Sequence, residues 1–211
     1  MAVLDKGVWY PSKERHELLE EESFNFSAVP ELSRYHLYIS YACPFAHRCY
    51  LVINYLGLQH AISVSSVAAK RDVGGWLFDK EHPDKVNAVP SLVALYQKAK
   101  PTYSGRVTVP VLWDKVQNRI VSNDSSSMAM DFATKWLPLA SNQIELVPEH
   151  LKNEITSLNN WLHQHINRQV YHVGFASEQT SYDVASAVLF EALAQLNTRI
   201  KKTRYLHGNE I

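Results

Sequence analysis

Residues 35–48, YHLYISYACPFAHR, contain the transition that decides the fold. The first six residues form an apolar run that is typical of a short buried strand, and the run breaks at a cysteine followed by a proline. After this break, apolar residues recur at helical spacing as far as Leu56, and Gly57 is suited to end the helix. The stretch therefore predicts a strand that turns directly into a helix, with Cys43 at the turn.

The same periodicities predict the rest of the architecture. Strands are expected at 62–67, 107–114 and 119–123, and helices near 91–99 and 128–137. The order β-α-β-α-β-β-α indicates a mixed sheet covered by helices. Beyond it only helical stripes are readable, at 151–166 and 185–200, so we expect an α/β unit followed by an all-α unit.

These patterns suggest four parts in the 211-residue chain. They are an irregular N-terminal extension (1–34) that includes the charged run KERHELLEEE, an α/β domain (35–137), a linker (138–147) and a helical domain (148–211). The charged run is interpreted as a solvated helical turn.

Composition excludes several classes of function. Lysine plus arginine and aspartate plus glutamate both number 21, so the zero net charge gives no support for binding nucleic acid or an anionic membrane. No N-terminal segment has the apolar core of a secretory signal, and no apolar stretch is long enough to cross a bilayer. Two cysteines do not make a disulfide framework, so a reducing, cytoplasmic setting is expected, and no metal is predicted.

Cys43 is predicted to be the N-cap of the first long helix, because Pro44 suits the first helical position. Its sulfur could then receive N–H groups from Phe45 or Ala46 and lie at the positive end of the helix dipole, which favours the thiolate. The alternative is a small buried residue, and this is the preferred interpretation of Cys49. Ala46 stands where a C-x-x-C motif would have its second cysteine, so an outside thiol such as glutathione must release any mixed disulfide.

Two further features fit a peptide-like thiol. The proline in Val109-Pro110 belongs at a sheet edge or in a cis turn, and a cis bond would turn the backbone of Val109 outward to pair with an extended ligand. Asp124 and Ser125 begin a helix, where they either cap it or bind an α-amino acid end through backbone N–H groups and an acid. Together with Cys43, these features match the cysteinyl and γ-glutamyl parts of glutathione.

The motifs RYHLYISYACPFAHR, GGWLF, PTYSGRVTVPVLWD, IVSNDSS and QVYHVGFASEQTSY resemble the glutathionyl-hydroquinone reductases, the xi class of glutathione transferases. The resemblance runs from about Ser33 to Gly208. It implies a thioredoxin-like domain followed by a glutathione-transferase-type helical domain, and the reduction of S-glutathionyl-hydroquinones with glutathione as co-substrate.

The resemblance also implies roles for individual residues. Cys43 would be the nucleophile. The residues that would hold glutathione are Trp76, Arg106, Val109 and, at the γ-glutamyl end, Asp124 and Ser125. Tyr171 would line the aromatic acceptor pocket.

The chain departs from the family pattern at three places. Phe45 stands where the family usually has tryptophan, and Asp124 stands where it usually has glutamate. Family members continue for several helices beyond YLHGNEI (205–211), so a shortened helical domain is expected. The family's further pocket tyrosines and dimer contacts would lie in that part, which leaves a homodimer open.

Two alternatives to the reductase remain. An omega-like thioltransferase or dehydroascorbate reductase would use the same Cys43 with another acceptor pocket. A non-catalytic glutathione-transferase-like interaction module would not need a reactive cysteine, so thiol trapping distinguishes it.

Overall fold

The computed structural model describes residues 2–12 and 22–209. The charged run KERHELLEEE therefore lies, except for Glu22, outside the described residues. The chain divides into two compact units, Met1–Glu145 and Leu146–Ile211.

The first unit has the element order expected from the sequence after an N-terminal hairpin. Its described strands are β1 (Val3–Asp5), β2 (Val8–Tyr10), β3 (Tyr35–Ile39), β4 (Ile62–Ser66), β5 (Val111–Asp114) and β6 (Arg119–Ser122), and its helices are α1 (Pro44–Tyr55), α2 (Leu92–Ala99) and α3 (Ser125–Thr134). Strands β3 to β6 form one sheet in the order β4-β3-β5-β6, in which β3 and β4 are parallel and the other pairs antiparallel. The prediction of a mixed sheet with helices is confirmed.

The burial of the central strand β3 explains why its sequence is mostly apolar. All five of its residues are buried, as expected for a strand covered on both faces. Tyr35 packs edge to face on Trp136, with 5.3 Å between ring centroids, and Trp136 packs in the same way on Phe132 at 5.8 Å. Helix α1 buries Ala46, Cys49 and Ile53 and packs against α3. The start of α1 and the start of α3 are thereby held within one core.

The expectation of an irregular extension is wrong for residues 3–10, which form the β1–β2 hairpin. Lys6 and Gly7 have φ of 47° and 80°, the positive values that a type I′ hairpin turn requires. Leu4 exchanges both backbone hydrogen bonds with Gly105, at 2.9 and 2.8 Å. These strands are too short for their own alternation to be recognisable, and Gly105, the further partner of Leu4, lies about a hundred positions away along the chain.

The strand expected at 107–114 is shorter than predicted, because β5 begins only at Val111. Pro110 lies before the strand and not inside it, since a residue without an N–H cannot donate to the sheet ladder. The Val109-Pro110 bond is cis, one of the two conformations that the sequence left open.

The second unit is helical, as expected. Its helices are α4 (Lys152–Leu162), which continues into a π-helical segment (His163–Asn167), α5 (Gln169–Gly174) and α6 (Gln179–Ile200). The stripe 151–166 is only half-buried, and in α6 the buried residues are Ala185 and Ala192. Phe175 and Phe190 are 81% and 68% exposed. None of the helices in the described ranges combines the length and the apolar character needed to cross a membrane.

Candidate active site

Cys43 is the N-cap of α1, as predicted. Its backbone is extended, with φ −101° and ψ 114°, and Pro44 follows in the first turn. Ser40 holds the preceding turn, since its carbonyl accepts from the N–H of Cys43 at 3.0 Å and its hydroxyl accepts from the N–H of Ala42 at 3.2 Å. The carbonyl of Cys43 accepts the N–H of His47 at 2.9 Å. The backbone that carries the thiol is therefore fixed on both sides.

The Cys43 side chain makes a different contact from the one expected. The structure contains no cap hydrogen bond from Phe45 or Ala46 to the sulfur. Instead, the thiol donates to the carbonyl oxygen of Val109 at 3.6 Å. In this contact the thiol is the donor and the carbonyl oxygen the acceptor, whereas a thiolate would accept hydrogen bonds from N–H groups. This contact brings Cys43 and Val109 together.

Cys49 has the environment of a packed thiol. It is fully buried and donates to the carbonyl of Ser125 at 3.4 Å. Burial raises the pKa of Cys49 well above its ordinary value, because the charged form would lose its hydration, although Arg48 opposes this shift. Cys43 by contrast is only half-buried. Cys43, at the N-cap, is therefore more accessible to solvent than Cys49, within the helix, as the sequence predicted.

The start of α3 has the capping geometry that the sequence allowed. Asp124 is the N-cap, and its carboxylate accepts from the backbone N–H groups of Ser126 and Ser127 at 3.2 and 3.0 Å. The residue is exposed, and a carboxylate has about four acceptor positions, so capping leaves it free to accept further hydrogen bonds. Ser125 is buried beside it and contacts α1 through Cys49. Capping and ligand binding are compatible here.

Trp76 and Arg106 lie on two separate loops of the first unit. Trp76 is half-buried, and its carbonyl accepts from the N–H of Leu92 at 2.8 Å, which ties its loop to the start of α2. Arg106 is exposed, and its carbonyl accepts from the Tyr103 hydroxyl at 3.2 Å. Arg106 belongs to the same irregular stretch as Val109, immediately before β5.

Arg71 is a residue of this region that sequence reasoning missed. Its guanidinium carbon lies 5.9 Å from the centroid of the Trp76 ring. The only signal in the sequence is a basic pair, Lys70-Arg71, a few positions before Trp76, and a basic pair in a loop is normally solvated.

Tyr171 belongs to the second unit and lies on α5. Its ring stacks on Phe175, with centroids 6.1 Å apart, and the side chain is 39% exposed. A groove of about 630 Å³ in the same unit lies between α4 and α6 and is lined by Leu158, Trp161 and Leu196 among others. Tyr171 is not among its lining residues, so the acceptor-pocket role of Tyr171 stays a prediction.

Comparison with known proteins shows to which class of proteins this chain belongs. The family described as "Glutathione S-transferase, N-terminal domain" matches residues 42–135, which contain Cys43 and every predicted glutathione residue. The thioredoxin-like sheet with a following helical unit is therefore that of a glutathione transferase.

Relatives in two bacteria define the family more closely. The chain is 42% identical to the glutathionyl-hydroquinone reductase YqjG of Escherichia coli, over 87% of this chain and 57% of that protein. It is 36% identical to the glutathionyl-hydroquinone reductase PcpF of Sphingobium chlorophenolicum, over 100% of this chain and 72% of that protein. The chain belongs to the glutathionyl-hydroquinone reductase family, the xi class of glutathione transferases. It spans just over half the length of the E. coli relative.

Solved structures agree with this assignment. The xi-class transferase of Natrialba magadii superimposes with a TM-score of 0.94 at 37% identity, covering 100% of this chain and 70% of that one. The glutathione-bound structure of E. coli YqjG gives a TM-score of 0.87 at 37% identity, covering 99% of this chain and 70% of that one.

Proposed function

We propose that this chain is a glutathione-dependent oxidoreductase that removes glutathione from S-glutathionyl-hydroquinones. The observation that carries the proposal is the half-buried thiol of Cys43 at the N-cap of α1, 3.6 Å from the carbonyl oxygen of Val109. Support also comes from relatives that are named for this activity and from the glutathione-bound structure of one of them.

The proposed reaction proceeds through a mixed disulfide. The thiolate of Cys43 attacks the glutathionyl sulfur, an S–S bond forms and the bond from that sulfur to the aromatic carbon breaks. The carbon leaves with the electron pair and takes a proton, so the substrate is reduced to the hydroquinone and Cys43 is oxidised. A second glutathione thiolate attacks this disulfide, releases Cys43 and departs as oxidised glutathione.

The glutathione site is proposed to use the residues around this thiol. The backbone of Val109 would pair with the cysteinyl part, and the exposed carboxylate of Asp124 would bind the γ-glutamyl ammonium. The N–H of Ser125, at the start of α3, would bind the γ-glutamyl carboxylate. The planar guanidinium of Arg106 fits the remaining carboxylate, beside Trp76. Tyr171 would contact the aromatic acceptor.

This chemistry needs Cys43 to be a free thiol and a pool of reduced glutathione. Cys43 and Cys49 are unpaired, which supports a reducing, cytoplasmic setting. No metal ion takes part in the proposed steps.

A single-turnover experiment tests the mechanism. The chain is mixed with a glutathionyl-hydroquinone in the absence of free glutathione, and the products and the intact protein mass are measured. One equivalent of hydroquinone and one glutathione adduct on Cys43 are expected, and added glutathione should restart turnover. Hydroquinone release without an adduct would contradict the mixed disulfide. Turnover of mixed disulfides or dehydroascorbate, but not of glutathionyl-hydroquinones, would favour the omega-like alternative.

A further inference from the structure

The β1–β2 hairpin is attached to the segment that leads to Arg106. Leu4, on β1, exchanges both backbone hydrogen bonds with Gly105, at 2.9 and 2.8 Å. The N–H of Gly7, in the hairpin turn, donates to the carbonyl of Tyr103 at 3.0 Å. Leu4 is also fully buried. The hairpin is therefore fixed to the first unit through contacts that do not involve strand β2.

From this base, β2 carries Trp9 to a different loop, the one that precedes Trp76. The indole N–H of Trp9 donates to the carbonyl of Val73 at 2.9 Å. The indole ring lies against Gly75, because a methyl group on Gly75 would stand only 3.2 Å from Cζ2 of Trp9 and 3.3 Å from Cγ2 of Val93. Gly75 also has a φ of 87°, which suits glycine. The backbone of this loop is thus packed against both Trp9 and helix α2.

Trp76 directly follows the residue that Trp9 contacts. Its carbonyl accepts from the N–H of Leu92 at 2.8 Å, so α2 holds the chain on its far side. On its near side, Asp72 and Gly75 exchange backbone hydrogen bonds at 3.2 and 3.0 Å, which close the turn on itself. The bond from Trp9 ties this closed turn to another part of the fold. A ring on a backbone that is held on both sides loses less conformational freedom when it binds a ligand.

The position of Trp9 suits contact with this loop more than burial in a core. Trp9 is half-buried, and its neighbours on β2, Val8 and Tyr10, are exposed. A tryptophan has both a flat apolar face and an N–H donor, and here the face meets Gly75 while the donor meets Val73. Both of its polar and apolar contacts are thus directed at the turn before Trp76.

We propose that Trp9 is a positioning residue of the glutathione site, which fixes the backbone of Val73 and Gly75 and thereby the ring of Trp76. The inference rests on the proposed function, in which Trp76 holds glutathione. Trp9 is not assigned to the ligand and acts only through Trp76. Its loss should therefore affect ligand binding more than the chemical step, because Cys43 is held by other hydrogen bonds, at the start of α1.

A double-mutant cycle tests this inference. The variants are Trp9→Phe, which keeps an aromatic ring but removes the N–H, Trp76→Ala, and the two combined. The matched control is Val8→Thr, an exposed position on the same strand. Affinity for S-methylglutathione, which cannot form a disulfide, is measured by calorimetry. We expect Trp9→Phe to weaken binding about fivefold, the loss of one hydrogen bond, but less than about twofold when Trp76 is already alanine.

Steady-state kinetics give a second readout, which a purely structural role would not produce. In Trp9→Phe, KM for a glutathionyl-hydroquinone should rise by about the same factor as the dissociation constant, with little change in kcat. Val8→Thr should change neither quantity. If Trp76→Ala binds too weakly for the cycle, this split between KM and kcat decides. Circular dichroism checks that each variant folds, and Trp9→Tyr takes the place of Trp9→Phe if the latter does not.

The outcomes separate this inference from the proposed function. If the unchanged chain fails to bind S-methylglutathione, the proposed function fails, and the inference with it. If the unchanged chain binds, but Trp9→Phe behaves like Val8→Thr, only the role of Trp9 is overturned. The same holds if Trp9→Phe weakens binding equally with and without the Trp76 ring, or lowers kcat at an unchanged KM.

Discussion

The thiol sulfur of Cys43 lies 3.6 Å from the carbonyl oxygen of Val109, although the two residues are 66 positions apart in the chain. The contact joins the N-cap of α1 to the bend that precedes β5. A peptide-like thiol that pairs with the backbone of Val109 would therefore have its sulfur next to the sulfur of Cys43. Under the proposed function, this relationship would place glutathione binding and thiol chemistry in one site.

Cys43 should react with iodoacetamide much faster than Cys49, by about tenfold or more. Cys43 is half-buried at the start of α1, whereas Cys49 is fully buried and burial raises its pKa, so its reactive thiolate is scarce. Peptide mapping after short exposure to the reagent measures both rates. Labelling of Cys49 before Cys43 would contradict this assignment and favour the non-catalytic alternative.

Asp124 can be tested for ligand binding separately from its capping role. Asp124→Ser keeps a good N-cap residue but removes the negative charge, so KM for glutathione should rise about tenfold with little change in kcat. Asp124→Ala should show the same rise and in addition lose about 1 kcal/mol of stability, because the bonds from Ser126 and Ser127 are lost. A lower kcat with an unchanged KM in Asp124→Ser would remove Asp124 from the binding role.

The acid stability of the first unit should depend on Asp114. Burial opposes the charge of this carboxyl, but hydrogen bonds from Arg34 and from the backbone of Val116 and Gln117 outweigh it, so the pKa of Asp114 is lowered. A group whose pKa is lowered on folding stabilises the protein at a pH above its unfolded value, about 3.9, and this stability is lost as the pH falls toward the folded value.

Thermal unfolding between neutral pH and pH 3 measures this effect. Asp114→Asn should unfold at a lower temperature than the unchanged chain at neutral pH, and the difference should shrink below about pH 4. Asp131→Asn is the control, because Asp131 pairs with Lys135 on the surface of α3, at 2.9 Å. If the difference in unfolding temperature between Asp114→Asn and the unchanged chain stayed constant with pH, the role given to the charge of Asp114 would be contradicted.

Local signals predicted the centre of the first unit well. Apolar runs and helical spacing predicted β3 and α1, and the proline after Cys43 was enough to predict the N-cap. Each of these features depends on residues that are neighbours in the sequence. The direction in which the Cys43 thiol points could not be predicted, because its hydrogen-bond acceptor, the carbonyl of Val109, belongs to the loop before β5. The hairpin at residues 3–10 was missed because its strands have three residues each, and the further backbone partner of Leu4, Gly105, is distant in sequence.

In the candidate site, too, local features could be predicted from the sequence and contacts between folded segments could not. Asp124 and Ser125 were recognisable as a helix start, whereas the nearness of Arg71 to the Trp76 ring depends on how their loop folds back. A basic residue in a loop carries no spacing signal, and only the fold brings its guanidinium near an indole ring.

The most direct test of the central claim is release of hydroquinone from a glutathionyl-hydroquinone, with excess glutathione, by this chain and by its Cys43→Ser and Cys49→Ser variants. We expect the unchanged chain and Cys49→Ser to produce hydroquinone and oxidised glutathione in equal amounts. Cys43→Ser should bind S-methylglutathione but release no hydroquinone, because a serine hydroxyl caps the helix and cannot form a mixed disulfide. Turnover by Cys43→Ser at the rate of the unchanged chain would contradict the account.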